Sequence, residues 1–172
     1  MSAVETLRNA IPDAAKDLRL NLDAVLKPGT LNEAQVWGVA VACAIAARNG
    51  PLRQAVLEDA LSKVSEAVVE DAKAAAALMG MNNVFYRFRH IIGKSEYADK
   101  PARLRMQRLA QVATNKTDFE LMCLAVSAIN GCETCVRSHE KVVLEGGLTE
   151  DHVQDAVRIA SVIHGTAVAL EM

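Results

Sequence analysis

Apolar positions recur along the chain at helical spacing, and no segment alternates with the period of two that a half-buried strand requires. After Pro12, the residues Ala15, Leu18, Leu22 and Val25 fall on one helical stripe, which Lys27-Pro28-Gly29 ends. Thr30 or Asn32 supplies an N-cap for a helix from Glu33 to about Arg48, stopped by Asn49-Gly50-Pro51. Its segment AQVWGVAVACAIAA is apolar nearly all round, which assigns it to the centre of the core or to a subunit contact.

The same reading predicts a short helix from Leu52 to about Leu61 and another, capped by Ser65, through Met79. GMNNVFYRFRHIIG (Gly80 to Gly93) continues helically after an irregular start. Pro101 opens a helix to about Val112, and Thr117 starts DFELMCLAVSAIN after a turn at Thr114-Asn115-Lys116. Following the turn signal Asn130-Gly131, CETCVRSHEKVVLE is helical up to Gly146-Gly147, and Thr149 caps the last helix. No linker or low-complexity stretch divides the chain, so residues 1–172 are expected to form a single all-α domain.

Composition narrows this further. With 29 alanines and only 3% aromatic residues, the helices must pack closely through small side chains. The 19 basic and 21 acidic residues are interspersed, so the basic stripe needed for nucleic-acid binding is missing. No apolar run approaches the ~20 residues that cross a bilayer, and a soluble, cytoplasmic protein is expected.

The chain also matches itself weakly at an offset of 84 residues. VSEAVVEDAKAAAALM (Val64 to Met79) lies under LTEDHVQDAVRIASVI (Leu148 to Ile163), with identities at Glu66/Glu150, Val69/Val153, Asp71/Asp155, Ala72/Ala156 and Ala76/Ala160; Ala44-Ile45 lies under Ala128-Ile129 at the same offset, and Val56-Leu57-Glu58 resembles Val143-Leu144-Glu145 after a three-residue change of register. Two Ala-rich amphipathic helices could match by composition alone. If the repeat is real, its first copy runs roughly over 30–93 and its second over 114–172. In that register Arg48-Asn49-Gly50-Pro51 occupies the place of Cys132-Glu133-Thr134-Cys135, so only the second copy carries chemistry.

Four cysteines are too few for a secreted disulfide scaffold. Cys43 and Cys123 sit in apolar runs and read as core. Cys132 and Cys135 form a C-x-x-C at a helix start, where free N–H groups and the helix dipole stabilise a thiolate, although Glu133 opposes it. His139, four residues after Cys135 and seven after Cys132, shares their helical face and can move a thiol proton. Haem attachment would need His where Val136 stands, a structural zinc site lacks further ligands, and thioredoxin-type chemistry lacks its βαβ context. No metal site is expected. Two core cysteines and a surface histidine would be the purely structural reading.

Glu120 has two readings. Thr117-Asp118-Phe119-Glu120 has capping-box spacing, which alone accounts for the glutamate; alternatively its carboxylate orients His139 from the neighbouring helix. His90, His152 and His164 are isolated and read as structural. Asn82-Asn83 could line a site or bend its helix, and no role is assigned to it.

FELMCLAVSAINGCETCVRSHE, with MGMNNVFYRFR and IPDAAKDLRLNL, closely resembles the AhpD alkyl hydroperoxide reductases of the carboxymuconolactone decarboxylase-like superfamily, over essentially the whole chain. The resemblance implies an all-helical fold built from a duplicated helical unit and assembled as a homotrimer. It implies a thiol-dependent antioxidant peroxidase that regenerates the peroxiredoxin AhpC, with electrons from NADH through dihydrolipoamide dehydrogenase and a lipoyl-bearing acyltransferase. No cofactor is bound, and dihydrolipoyl groups do the reducing.

Carried over by position, Cys135 is the peroxide-attacking thiolate that becomes a sulfenic acid. Cys132 is the proton donor and resolving cysteine, forms the redox disulfide with Cys135, and can bridge to AhpC. His139 and Glu120 are the proton relay. The residues unaided would favour Cys132, at the helix end, as nucleophile; the resemblance and the i,i+4 relation to His139 favour Cys135. Some relatives have a histidine inside the C-x-x-C where this chain has Glu133-Thr134, so an auxiliary role for that histidine has no counterpart here. Two other activities are compatible: a redox adaptor that passes electrons to AhpC with incidental peroxidase activity, and a carboxymuconolactone-type decarboxylase independent of the cysteines.

Overall fold

Ten consecutive residues, Gln35 to Ala44, are buried on every side, as the unbroken apolar character of their segment predicts. They belong to α3 (Glu33–Ala46) in a computed structural model that describes residues 1–172. The other helices are α1 (Ala3–Arg8), α2 (Asp17–Val25), α4 (Gly50–Leu61), α5 (Glu66–Ile92), α6 (Ser95–Ala98), α7 (Lys116–Ile129), α8 (Glu133–Glu145) and α9 (Glu150–Ala169). There is no strand. Helix α3 packs against α4, α5, α7 and α9, and α7 packs in turn against α5, α8 and α9, so α3 and α7 share the centre. Gly38 allows that approach: a Cβ there would collide with the Met122 side chain of α7.

The order α3-α4-α5 recurs as α7-α8-α9. Glu33 and Lys116, then Gly50 and Glu133, open equivalent helices at an offset of 83 residues, while Glu66 and Glu150 do so at 84. The connections agree: Arg48 (φ 62°) and Gly131 (φ 64°) hold the same left-handed conformation one residue before the next helix cap. The one-residue difference accumulates in the longer α8. The register of 84 read from the sequence therefore holds for the last helix of each unit but slips by one at the cysteines. Asn49, not Arg48, stands opposite Cys132, and Leu52 stands opposite Cys135.

Several local expectations need correction. Helix α5 runs without interruption through Gly80, so the irregular start expected there is absent. Residues 101–106 form no helix despite their helical composition, and only Gln107–Ala110 make a 3-10 turn. Arg103 interrupts the stretch with a left-handed φ of 52°. The buried Asp71 carboxylate then accepts the backbone N–H groups of Ala113 (2.8 Å) and Thr114 (2.8 Å), the Thr114 hydroxyl and the Arg108 guanidinium (2.7 Å), and so ties residues 108–114 to α5. At the N-terminus, residues 13–15 form a 3-10 turn ahead of α2. Helix α1 had no clear signal and is held by Asp59, which accepts the N–H groups of Ala3 and Val4 at 2.8 and 2.9 Å. No helix is long and apolar enough to cross a membrane.

Candidate active site

The polypeptide reaches the cysteine pair through a sharp turn. Gly131 adopts a left-handed conformation that a side chain would strain, and the Cys132 N–H then donates to Ser127 O at 3.1 Å. Cys132 becomes the N-cap of α8, as its spacing predicts, but its side chain caps nothing. Its sulfur is instead bonded to that of Cys135 one turn later, the Cα atoms being 5.3 Å apart. Both residues are buried.

A polar clamp from α5 holds this turn. Asn83 Nδ2 donates to Ser127 Oγ (2.9 Å), Asn130 Nδ2 donates to Asn83 Oδ1 (2.9 Å), and the Arg87 guanidinium donates to Asn130 O. Asn83, which the sequence left without a role, thus positions the strained link before Cys132. The exposed Glu133 carboxylate is engaged by Arg137 (2.9 Å) and His90 (3.3 Å). The hydrogen bond and charge of Arg137, with a smaller contribution from His90, hold its pKa below the ordinary value. Glu133 is therefore paired with Arg137 and His90 on the surface, and His90 is not isolated.

Helix α7 brings Glu120 to α8. Its buried carboxylate lies 2.5 Å from His139 Nδ1 through Oε2 and 2.6 Å from Lys116 Nζ through Oε1. The N-cap of α7 is Asn115, whose side chain accepts the Asp118 N–H at 2.8 Å. Thr117 lies inside the helix, so the capping-box reading of Glu120 fails. Burial pushes the Glu120 pKa up, but hydrogen bonds from His139 and Lys116 and their charges outweigh it and leave the pKa below the ordinary 4.5. The group is an anion at neutral pH. Lys116 also donates to Leu109 O at 2.9 Å, linking the relay to the 3-10 turn whose Arg108 is held by Asp71.

The second nitrogen of His139, Nε2, lies 3.2 Å from Met79 Sδ on α5. A thioether only accepts, so this contact is a hydrogen bond when Nε2 carries a proton. Cys135 and His139 line one pocket of about 400 Å³ together with Met79, Asn82, Tyr86 and Leu109. Cys132 lines a different, more open depression with Glu133, Val136 and Arg137. The two cysteines thus line different surfaces, Cys135 the pocket that holds His139 and Cys132, itself fully buried, the floor of the shallower depression.

Cys43 and Cys123 are fully buried, and burial raises both thiol pKa values, that of Cys123 further by the charge of Glu120. They are core residues. His152 closes the capping box of α9, its Nδ1 accepting the Thr149 N–H at 3.2 Å, and His164 is exposed. Lys116 and Met79 carried no local sequence signal, and of the two readings of Asn82, lining a site or bending its helix, the structure has it lining this pocket.

Residues 95–172, from α6 to the end of α9, match the carboxymuconolactone decarboxylase family. Over all 172 residues the chain is 64% identical to the alkyl hydroperoxide reductase AhpD of Anaeromyxobacter sp. (strain K), covering 92% of that protein. The chain belongs to the AhpD family. It is also 54% identical over 169 residues to the AhpD of Solibacter usitatus (strain Ellin6076), with 98% of this chain and 96% of that one aligned. The AhpD of Brucella suis is 47% identical over 169 residues, covering 98% of this chain and 97% of its own. The matched span 95–172 contains Glu120, Cys132, Cys135 and His139, whereas Met79, Asn82 and Asn83 reach the AhpD site from outside it.

Proposed function

We propose that this protein is an alkyl hydroperoxide reductase that works by cycling Cys132 and Cys135 between dithiol and disulfide. The observation that carries the reading is the continuous arrangement of Lys116, Glu120 and His139 beside a pocket that Cys135 lines. In the dithiol form the Glu120 carboxylate accepts Nδ1–H of His139 and leaves Nε2 as a base facing the pocket. His139 takes the proton of Cys135. The thiolate attacks the terminal oxygen of R–O–O–H, the O–O bond breaks, and the leaving alkoxide recovers the proton from Nε2 to depart as alcohol. Cys135 now carries a sulfenic acid. Cys132 attacks its sulfur, water leaves, and the disulfide forms.

A dihydrolipoyl dithiol restores the pair by exchange, giving two electrons and closing to its own disulfide, so no bound cofactor is needed. The open depression at Cys132, rimmed by Glu133 and Arg137, is the side on which a protein thiol such as that of AhpC would be met. A lipoyl-bearing acyltransferase and dihydrolipoamide dehydrogenase would supply the electrons in the cytoplasm. The exposed ridge Val84, Phe88 and Ile91 on α5 gives a self-associating surface suited to the homotrimer.

Hydroperoxide consumption driven by dihydrolipoamide, measured with and without AhpC, tests the reading. Turnover without AhpC that disappears in Cys135→Ser supports it. Turnover only with AhpC would make the protein an adaptor, and full activity in Cys135→Ser would exclude the mechanism.

A further inference from the structure

Asn82 is a buried side chain of the active-site pocket that the relay does not use. It follows Met79 by three residues on α5 and precedes Tyr86 by four, so these three side chains form one wall of the pocket that Cys135 and His139 share. It is only 5% exposed. Its neighbour Asn83 uses both ends of its carboxamide, but the Asn82 oxygen is buried with no hydrogen-bond partner, one of only two such side-chain atoms in the protein. An orphaned amide oxygen costs free energy in the resting fold, and a partner that enters the pocket, water or ligand, would remove that cost. The last torsion of an asparagine side chain is soft, so the carboxamide can turn to meet one.

The reaction needs such a group. A hydroperoxide has a single O–H donor. Cys135 takes the terminal oxygen and His139 serves the leaving oxygen, which leaves that O–H without an acceptor. We propose that Asn82 binds the hydroperoxide itself, its carbonyl accepting the terminal O–H while Met79, Tyr86, Met106 and Leu109 enclose the apolar organic group. This rests on the peroxidase reading above and adds a substrate-binding residue to it. When the O–O bond breaks, the hydrogen stays on the transferred oxygen, and Asn82 then holds the O–H of the Cys135 sulfenic acid. The contact ends when Cys132 displaces that oxygen, which leaves as water. The selected substrates are hydroperoxides with an apolar substituent, and dialkyl peroxides, which lack the O–H, are excluded.

The test separates the two half-reactions in the full-length protein. Reduced wild type, Asn82→Leu and Asn82→Ala are mixed with cumene hydroperoxide in a single turnover and the remaining thiols are counted. The oxidised proteins are separately reduced with dihydrolipoamide. Oxidation should slow about tenfold or more in both variants, the loss of one hydrogen bond in the transition state. Reduction, in which no peroxide takes part, should change less than about twofold, and the pH midpoint of oxidation should stay in place. Asn82→Leu should melt no lower than wild type, since it removes an orphaned polar group; if it does not fold, Asn82→Ala carries the comparison. Wild-type oxidation rates in the variants, an equal loss in both half-reactions, or a shifted pH midpoint would overturn the proposal. Failure of the wild type to react with cumene hydroperoxide would instead overturn the peroxidase reading.

Discussion

Asn49 and Cys132 occupy the same N-cap position in the two helical units, and only Asn49 caps with it. Asn49 Oδ1 accepts the Leu52 N–H at 2.9 Å, whereas the Cys132 sulfur is bonded to Cys135. The pairing extends along both units: Leu52 stands for Cys135, Val56 for His139 and Trp37 for Glu120, each of these three a buried side chain without redox or acid–base chemistry. The first unit shows what the fold requires at these places, and the second shows what has been exchanged for reactivity.

One consequence is that Cys132 sacrifices helix stability. In reducing buffer, where the disulfide makes no contribution, Cys132→Asn should stabilise the protein by about 1 kcal/mol, the usual worth of a side-chain cap, and abolish turnover. Urea unfolding with excess reductant measures the first effect. A destabilised variant would mean that Cys132 packing outweighs the missing cap.

The Glu120 charge contributes stability with a definite pH dependence. Its folded pKa lies below the ordinary 4.5, so the contribution is fully present above that value and is lost as pH falls through the depressed one. Glu120→Gln should melt lower than wild type at about pH 7, with the gap closing as the pH falls below the ordinary 4.5, and should slow peroxide turnover about 10- to 100-fold without changing the helical circular dichroism. A gap independent of pH would show that the carboxylate charge is not what His139 and Lys116 recognise.

Asp71 works at a distance from the sulfurs. Burial raises its pKa, but the bonds from Ala113, Thr114 and Arg108 lower it more, and together they hold the segment that carries Met106 and Leu109 to the pocket. Asp71→Asn should cost about 2 kcal/mol, accelerate amide exchange over residues 106–114 and raise KM for hydroperoxide more than it lowers kcat. Unchanged exchange in that segment would remove the coupling.

The two pairs of cysteines should differ in reactivity. Burial raises the thiol pKa values of Cys43 and Cys123, so iodoacetamide applied to the folded, reduced protein should modify Cys135, which lines the pocket, first and leave those two untouched until denaturant is added. Peptide mass mapping checks this, and early labelling of Cys43 or Cys123 would contradict it.

The local chemistry was legible because it is encoded within a few turns. Cys132, Cys135 and His139 share one helix, their spacing fixes their common face, and the Asn130-Gly131 turn marks its start. The apolar segment of α3 and the cap at Thr149 were equally plain. Glu120 was ambiguous because Asn115 and Thr117, two capping residue types, lie two positions apart, and only the structure shows that Asn115 is used. Lys116 was hidden in the same way. Residues 101–106 misled because their composition favours helix, whereas Arg103 takes a left-handed φ that no sequence signal marks and Asp71, far away in sequence, captures the backbone groups further on at 113 and 114. Met79, Asn82 and Asn83 come to the site from α5 by packing alone, which no local pattern records. The one-residue slip of the repeat was invisible because most identities lie in α5 and α9, beyond the longer α8; the match of Ala44-Ile45 to Ala128-Ile129 at 84 and the three-residue shift at Val56 came from similar composition, since α3 and α7, like α4 and α8, start 83 residues apart.

The assignment of Cys135 as the peroxide-reactive sulfur is tested most directly by trapping its sulfenic acid. Reduced Cys132→Ser, which cannot close the disulfide, should give a dimedone adduct at Cys135 after one equivalent of cumene hydroperoxide, while Cys135→Ser should give none at Cys132 on the same timescale. An adduct on Cys132 formed as fast as that on Cys135, or no adduct at Cys135, would contradict the assignment.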